Sequence, residues 1–346
     1  MLGLAKSTFF LLFSASLVWV GIGQQCGSRP GFTSSFSNDV VGGCYAGQGE
    51  YPWEGLIQFF NGGVLNETCG LTLISSSYAL TSARCINISL ETYFNNVTIL
   101  LGAVNISDPS GVITTINQSF IHPEYNVNPL NHNIAIIKLN INLNFTNNNK
   151  IQPICLPAVD KSLIYQPSVV AGWGFYSFDN YTCTNANYVN ATTINYQNST
   201  AWSLVKATVP VIGNELCQLY YPEEANVTFT NATICAGTDT KGAMGHGDRG
   251  TPLMIANNGT WFQTGVFSAH FYNTNVHEAL AQRLYSRVSS YCDWINSTTN
   301  GEAQCTNVDL PTPAPSKETS KGLAPSNYAS FAPLLIFCVL LVSNLF

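Results

Sequence analysis

Short runs of β-branched and aromatic residues, each closed by a turn cluster, dominate this chain and leave little room for helices. Gly55-Leu56-Ile57-Gln58-Phe59-Phe60, Val97-Thr98-Ile99-Leu100-Leu101 and Trp261-Phe262-Gln263-Thr264-Gly265-Val266 have the length and composition of strands. Gly, Asn, Asp and Pro punctuate the intervals between such runs. Strands at regular spacing build a barrel or a sandwich. No long helical periodicity precedes Val288–Ile295, which reads as one short C-terminal helix. The expected class is all-β, and roughly 250 residues are enough for two cores.

Both ends carry targeting patterns. Residues 1–23 combine Lys6, an apolar stretch from Phe9 to Val20, and the small-residue site Gly21-Ile22-Gly23. That is the build of a secretory signal, and the apolar stretch is short for a membrane anchor. Residues 328–346 are apolar, end the chain and are followed by no Lys or Arg. A polar Pro/Ser/Thr-rich stalk, 299–327, with small residues such as Ser320 and Gly322, precedes them. This order matches a tail exchanged for a glycosylphosphatidylinositol anchor. The competing reading, a transmembrane tail, has about 16 apolar residues interrupted by Pro333, marginal for crossing the hydrocarbon core.

The chain has eleven cysteines. Removing Cys338 with the tail leaves ten, and a secreted chain pairs them. Asn-x-Ser/Thr acceptors are dense: Asn66, Asn87, Asn96, Asn105, Asn117, Asn144, Asn180, Asn190, Asn198, Asn226, Asn231, Asn258 and Asn296. Charged residues make up only 9% of the chain, so attached sugars are expected to supply solubility. A formal net charge of −6 argues against nucleic acid as a partner.

Eight motifs in order then carry a resemblance. Val40-Val41-Gly42-Gly43 is followed by Glu50-Tyr51-Pro52-Trp53, and Tyr78-Ala79-Leu80-Thr81-Ser82-Ala83-Arg84-Cys85 by Asn131-His132-Asn133-Ile134-Ala135-Ile136-Ile137-Lys138-Leu139. Further along come Ala171-Gly172-Trp173-Gly174, Ile234-Cys235-Ala236-Gly237, Gly247-Asp248-Arg249-Gly250-Thr251-Pro252-Leu253 and Gly265-Val266-Phe267-Ser268, before the closing Tyr285–Ile295 segment. From about Val40 to Ile295 the chain resembles the trypsin-like serine proteases. The resemblance implies two six-stranded antiparallel β-barrels with a short C-terminal α-helix, spanning 40–298, with 24–39 as a pro-segment carrying Cys26.

At the catalytic positions the chain departs from that pattern. Arg249 stands where the reactive serine belongs, Arg84 where the histidine base belongs, and Asn133 where the aspartate belongs. The chemistry of that family needs a hydroxyl, a base titrating near neutrality and a carboxylate to orient the base. A guanidinium neither attacks a carbonyl nor accepts a proton at physiological pH. Arg84 and Arg249 are expected to face one cleft, where they repel unless an anion intervenes, or else turn out to water. Asp248 is the nearest carboxylate by sequence.

The substrate pocket departs too. By resemblance Ala243 takes the place of the aspartate that receives basic side chains, and Ala269 and His270 that of the Trp-Gly lining the substrate strand, where His270 obstructs an extended peptide. His246 and His270 flank the pocket mouth, but two imidazoles without a third ligand make a weak metal site, and no metal or cofactor is expected. Asp39 precedes Val40, so activators that cut after Arg or Lys are expected to leave the chain single and zymogen-like. Resemblance also implies disulfides Cys69–Cys85, Cys217–Cys235 and Cys26–Cys155. Ser168, Ile255 and Gly245 stand at lost family cysteines. Cys44, Cys183, Cys292 and Cys305 are left over, for which Cys44–Cys183 and Cys292–Cys305 is one pairing.

These readings describe an inactive homologue acting as a binding or regulatory glycoprotein, attached to the outer leaflet by lipid and engaging an unidentified protein at the cell surface. Two alternatives compete. One is a hydrolase rebuilt from Ser82, Ser268, His132 or His246. The other is a structural coat glycoprotein.

Overall fold

Alternating buried and exposed side chains, and runs buried on both faces, determine how the strands assemble in the computed structural model. It describes residues 26–32, 44–89, 94–160, 163–174, 203–219, 221, 227–237, 247–270 and 283–308. The first half comprises β1 (Cys44–Tyr45), β2 (Glu54–Asn61), β3 (Val64–Leu73), β4 (Tyr78–Thr81) and helix α1 (Ala83–Ser89). It continues with β5 (Asn96–Leu101), β6 (Val112–Thr114), β7 (Ile116–Ile121), β8 (Asn126–Val127), β9 (Leu130–Asn131) and β10 (Ala135–Leu139). The second half holds β11 (Leu156–Pro157), β12 (Pro167–Gly172), β13 (Val205–Ile212), helix α2 (Asn214–Gln218), β14 (Thr233–Ala236), β15 (Pro252–Asn257), β16 (Thr260–His270) and β17 (Arg283–Arg287). A 3-10 turn at Val288–Tyr291 leads into α3 (Cys292–Thr298), and β18 (Cys305–Thr306) follows.

The N-terminal sheet runs β6-β5-β2-β3-β4-β10-β7. Only Thr115 separates β6 from β7, so one bent strand stands at both ends of the order and the sheet curls on itself. In the C-terminal sheet the order β13-β12-β15-β16-β17-β14 returns through a β13–β14 pairing, which closes a six-stranded barrel. Closure removes the exposed edges that otherwise invite pairing with other chains. β1 adds to the start of β13 through Cys44 and Lys206, so the first described strand lies on the second barrel.

β2 lies between β3 and β5, and its residues from Glu54 to Phe59 are all buried. Leu56, Ile57, Phe59, Leu71, Leu80, Ile99 and Ile136 are nearly or fully excluded from solvent in the first core. Val170, Leu253, Phe267 and Tyr285 are correspondingly buried in the second. Each such side chain contributes about 1.5–3 kcal/mol on burial. Tyr51, Trp53 and Trp261 join the two halves: their ring centroids lie 5.6–6.3 Å apart. The Trp53 indole N–H points at the Met254 sulfur, 2.9 Å away, so no buried donor is left idle there.

Disulfides join Cys26–Cys155, Cys69–Cys85, Cys217–Cys235 and Cys292–Cys305. Such bonds persist in oxidising compartments such as the extracellular space. Cys26–Cys155 ties residues 26–32 to the second barrel, where the Trp261 N–H donates to the Gly27 carbonyl, the Gly27 N–H donates to the Pro153 carbonyl, and the Arg29 guanidinium sits over the Trp261 ring. Cys183 lies outside the described residues, as do residues 1–23, Asp39, Val40 and 309–346. Among the described residues no helix is long and apolar enough to cross a membrane.

Candidate functional site

Ser82 starts α1. Its hydroxyl accepts the Cys85 N–H at 3.3 Å, an N-cap bond that leaves Arg84 in the first turn. The Arg84 N–H is then one of the donors a helix start cannot satisfy internally. Asn133 supplies the acceptor: its Oδ1 lies 2.9 Å away. The other end of the same amide donates to Ser268 Oγ at 2.9 Å and to the Ser268 carbonyl at 3.2 Å. Asn133 is 1% exposed, yet both ends of its side chain are used. It holds the start of β10 against α1 and β16 without any charge.

Arg249 lies in the turn between Gly247 and Thr251. Gly250 adopts φ +91°, and a Cβ there would lie 2.2 Å from the Gly70 carbonyl oxygen and 2.3 Å from Thr81 Oγ1. Only glycine fits. The turn is fixed from both sides: Gly70 N–H donates to the Arg249 carbonyl at 2.7 Å, and Gly250 N–H to the Phe267 carbonyl at 2.9 Å. Cys85 Sγ lies 3.4 Å from that same Arg249 carbonyl oxygen, so the α1 and Arg249 segments are in contact.

Both guanidiniums belong to this cleft, and they differ. The Arg84 residue is exposed; Arg249 is half-buried, and its Nε is buried with no hydrogen-bond partner. Burial, then the neighbouring Arg84, lower the Arg249 pKa, while Glu67 and Tyr125 oppose the shift. The Tyr125 hydroxyl is also buried and unpartnered. Its pKa is raised by burial, against the pull of Arg84 and Arg249. Two donors thus stand ready for an acceptor beside an exposed cation. Asp248 is not that acceptor. It is fully buried and takes the Gly174 N–H at 2.6 Å, and neither arginine forms an ion pair among the described residues. Neighbourhood in sequence does not make the pair, because Asp248 is buried on the Gly174 N–H while Arg249 stays half-buried beside Arg84.

The serines of a rebuilt hydrolase are engaged elsewhere. Ser82 caps α1 and Ser268 receives Asn133, and neither hydrogen-bonds a histidine among the described residues. His132 turns to Tyr291, whose hydroxyl is 3.2 Å from Nδ1. Ala269 is buried in β16, and His270 pairs through its backbone with Arg283. Ala243 and His246 lie outside the described residues. The acceptors Asn66, Asn87, Asn96, Asn105, Asn117, Asn144, Asn231, Asn258 and Asn296 are all exposed, while Asn180, Asn190, Asn198 and Asn226 lie outside the described residues.

Two features have no signal in the sequence. One is Glu54, 2% exposed, with both carboxyl oxygens unpartnered. Burial, and secondarily Asp248, push its pKa well above the usual carboxylate range. Its place next to Trp53 at a strand start gave no warning. The other is a cluster of His122, Glu124 and His132, joined by a loop and hairpin rather than by helical spacing.

Barrels, disulfides and the Ser268–Asn133–Arg84 chain together define a two-barrel serine-protease-type domain. The trypsin family model matches residues 40–295, and the chain belongs to that family. Coagulation factor XI of Bos taurus is 29% identical over 278 residues, covering 78% of this chain and 39% of that protein. The chain therefore spans well under half the length of that relative.

Proposed function

We propose that this chain is a catalytically inactive member of the trypsin family, displayed at the outer cell surface on a lipid anchor and acting as a binding or regulatory glycoprotein. One observation carries the reading: Arg84 and Arg249, which by resemblance stand at the base and nucleophile positions, lie close enough to lower the Arg249 pKa, and the neutral Asn133 ties the Arg84 N–H to Ser268. Neither guanidinium can attack a carbonyl or accept a proton, so at these two positions acyl transfer has neither its nucleophile nor its base. The cleft instead presents a half-buried cation with an unused donor, an exposed cation, and a phenol without a partner. Such a set suits a carboxylate or sulfate from a partner protein or glycan, because charge-assisted bonds to arginine are the stronger kind. Nine exposed sequons and a low content of charged residues support a glycan-coated ectodomain.

Cells displaying the full-length protein are treated with phosphatidylinositol-specific phospholipase C. The released chain is then exposed to a fluorescent serine-hydrolase probe and a broad peptide library. Release without labelling or turnover is expected. Labelling lost on mutation of one serine would overturn inactivity, and failure to release would overturn the lipid anchor.

A further inference from the structure

The side chains of His122, Glu124 and His132 lie on one side of the β7–β10 connection. One potential ligand atom from each falls within 4.8 Å of the other two. His132 Nε2 and Glu124 Oε2 are 3.6 Å apart. Zinc bound at 2.0–2.1 Å in a tetrahedron sets neighbouring ligand atoms about 3.4 Å apart. That pair therefore already stands near the spacing of two ligands on one ion.

The group that would orient His132 is also in place. Tyr291 Oη lies 3.2 Å from Nδ1. A proton on Nδ1, donated to Tyr291, leaves the Nε2 lone pair facing Glu124; ligating histidines are commonly oriented through their other ring nitrogen in this way. The backbone fixes His132 as well: its φ is +48°, and its N–H donates to Asn131 Oδ1 at 3.0 Å. His122 stacks against it, with ring centroids 5.1 Å apart and planes at 14°. Tyr291 and Trp294 meet the His122 ring edge-to-face. Nearly parallel rings do not aim at one point, so binding turns the His122 ring. That turn gives up the stack on His132, shifts the edge contacts with Tyr291 and Trp294, and breaks one hydrogen bond, the long 3.3 Å contact from the Glu124 N–H.

From this geometry we propose a zinc-class divalent metal site formed by His122, Glu124 and His132, with solvent completing the coordination. Two imidazoles and a carboxylate suit a borderline-soft ion such as zinc better than calcium, which takes oxygen ligands. The ligands bracket the β8–β9 hairpin, so an ion closes its base. Leu130 and Asn131 of that hairpin line a small pocket together with His132, Asn133 and Ser268. Metal occupancy thereby sets the position of one wall of that pocket. The proposal stands independently of whether the cleft binds an acidic partner.

The test uses the full-length glycosylated chain and zinc alone, followed by calorimetry, with cobalt as a spectroscopic stand-in. One ion per chain is expected, with visible cobalt bands showing nitrogen ligation. A variant lacking His246, His270 and His277 should retain both. His122→Ala and Glu124→Gln should each weaken zinc binding by at least about tenfold, the loss already typical of altering a group that only hydrogen-bonds a ligand. Glu124 is exposed, so its variant decides the matter if His122→Ala does not fold. Absence of binding by the wild type, or unchanged affinity in Glu124→Gln, would overturn the site. Binding lost only in the triple histidine variant would place the ion elsewhere and overturn it equally.

Discussion

Asn133 Oδ1 accepts the backbone N–H of Arg84 at 2.9 Å, so a buried neutral amide ahead of β10 serves as a cap for the start of α1. Asn133→Ala removes this acceptor and both bonds to Ser268. Leaving buried partners unsatisfied costs about 1–3 kcal/mol. Asn133→Asp should be gentler. The Arg84 N–H and the Ser268 hydroxyl both donate to a carboxylate, and only the bond to the Ser268 carbonyl is lost. Urea melts should rank wild type above Asn133→Asp, and Asn133→Asp above Asn133→Ala.

On the proposed reading, Arg249→Ser restores a hydroxyl at position 249 without creating an enzyme. The Arg84 guanidinium carries only donors and accepts nothing. The variant should stay dark with a fluorophosphonate probe. It should also gain about 1 kcal/mol or more in stability, because a buried unpartnered donor and a repulsive neighbour disappear together. Labelling of Arg249→Ser alone, or a loss of stability, would show that the guanidinium has a compensating partner.

The turn that carries Arg249 depends on one atom's worth of space. Gly250→Ala sets a Cβ against the Gly70 carbonyl oxygen at 2.2 Å, in a backbone conformation that L residues rarely adopt. We expect destabilisation of about 3 kcal/mol or more, from clash and strain together. The readout is loss of cooperative unfolding or failure of secretion. A secreted variant with a wild-type melt would mean the turn can be rebuilt.

Much of this architecture is legible in the sequence, for a physical reason. Residues in tight turns and closed cores, such as Gly250, Trp53 and Trp173, have few substitutes, so they persist as readable motifs. The Cys292–Cys305 bridge is present, but the sequence offers it only as one pairing of the leftover cysteines, since spacing does not set connectivity. What the sequence hides depends on long-range juxtaposition. Nothing near Glu54 announces that Asp248, far along the chain, lies close enough to perturb it. Nothing near His122 announces that a hairpin returns His132 to stack on it. Arg249 is readable as a replacement, but its buried Nε follows from how the Gly247–Thr251 turn seats against Gly70.

Glu54 gives the last prediction, one of pH. Its folded pKa is raised well above the usual value, first by burial and then by Asp248. The unfolded chain titrates near the ordinary value, about 4.3. Between the two values the folded state holds a proton that the unfolded state releases, so folding binds protons and stability falls as pH rises. The contribution of Glu54 is therefore fully present below about pH 4 and is lost progressively from there through the folded pKa. Glu54→Gln fixes the neutral form. Relative to wild type it should gain nothing near pH 4, gain increasingly from pH 5 upward, and hold its largest advantage where wild-type Glu54 is forced to ionise. Paired thermal melts at pH 4 and pH 8 measure this directly. An equal offset at both pH values would mean that Glu54 titrates normally and that a counter-charge reaches its carboxyl group.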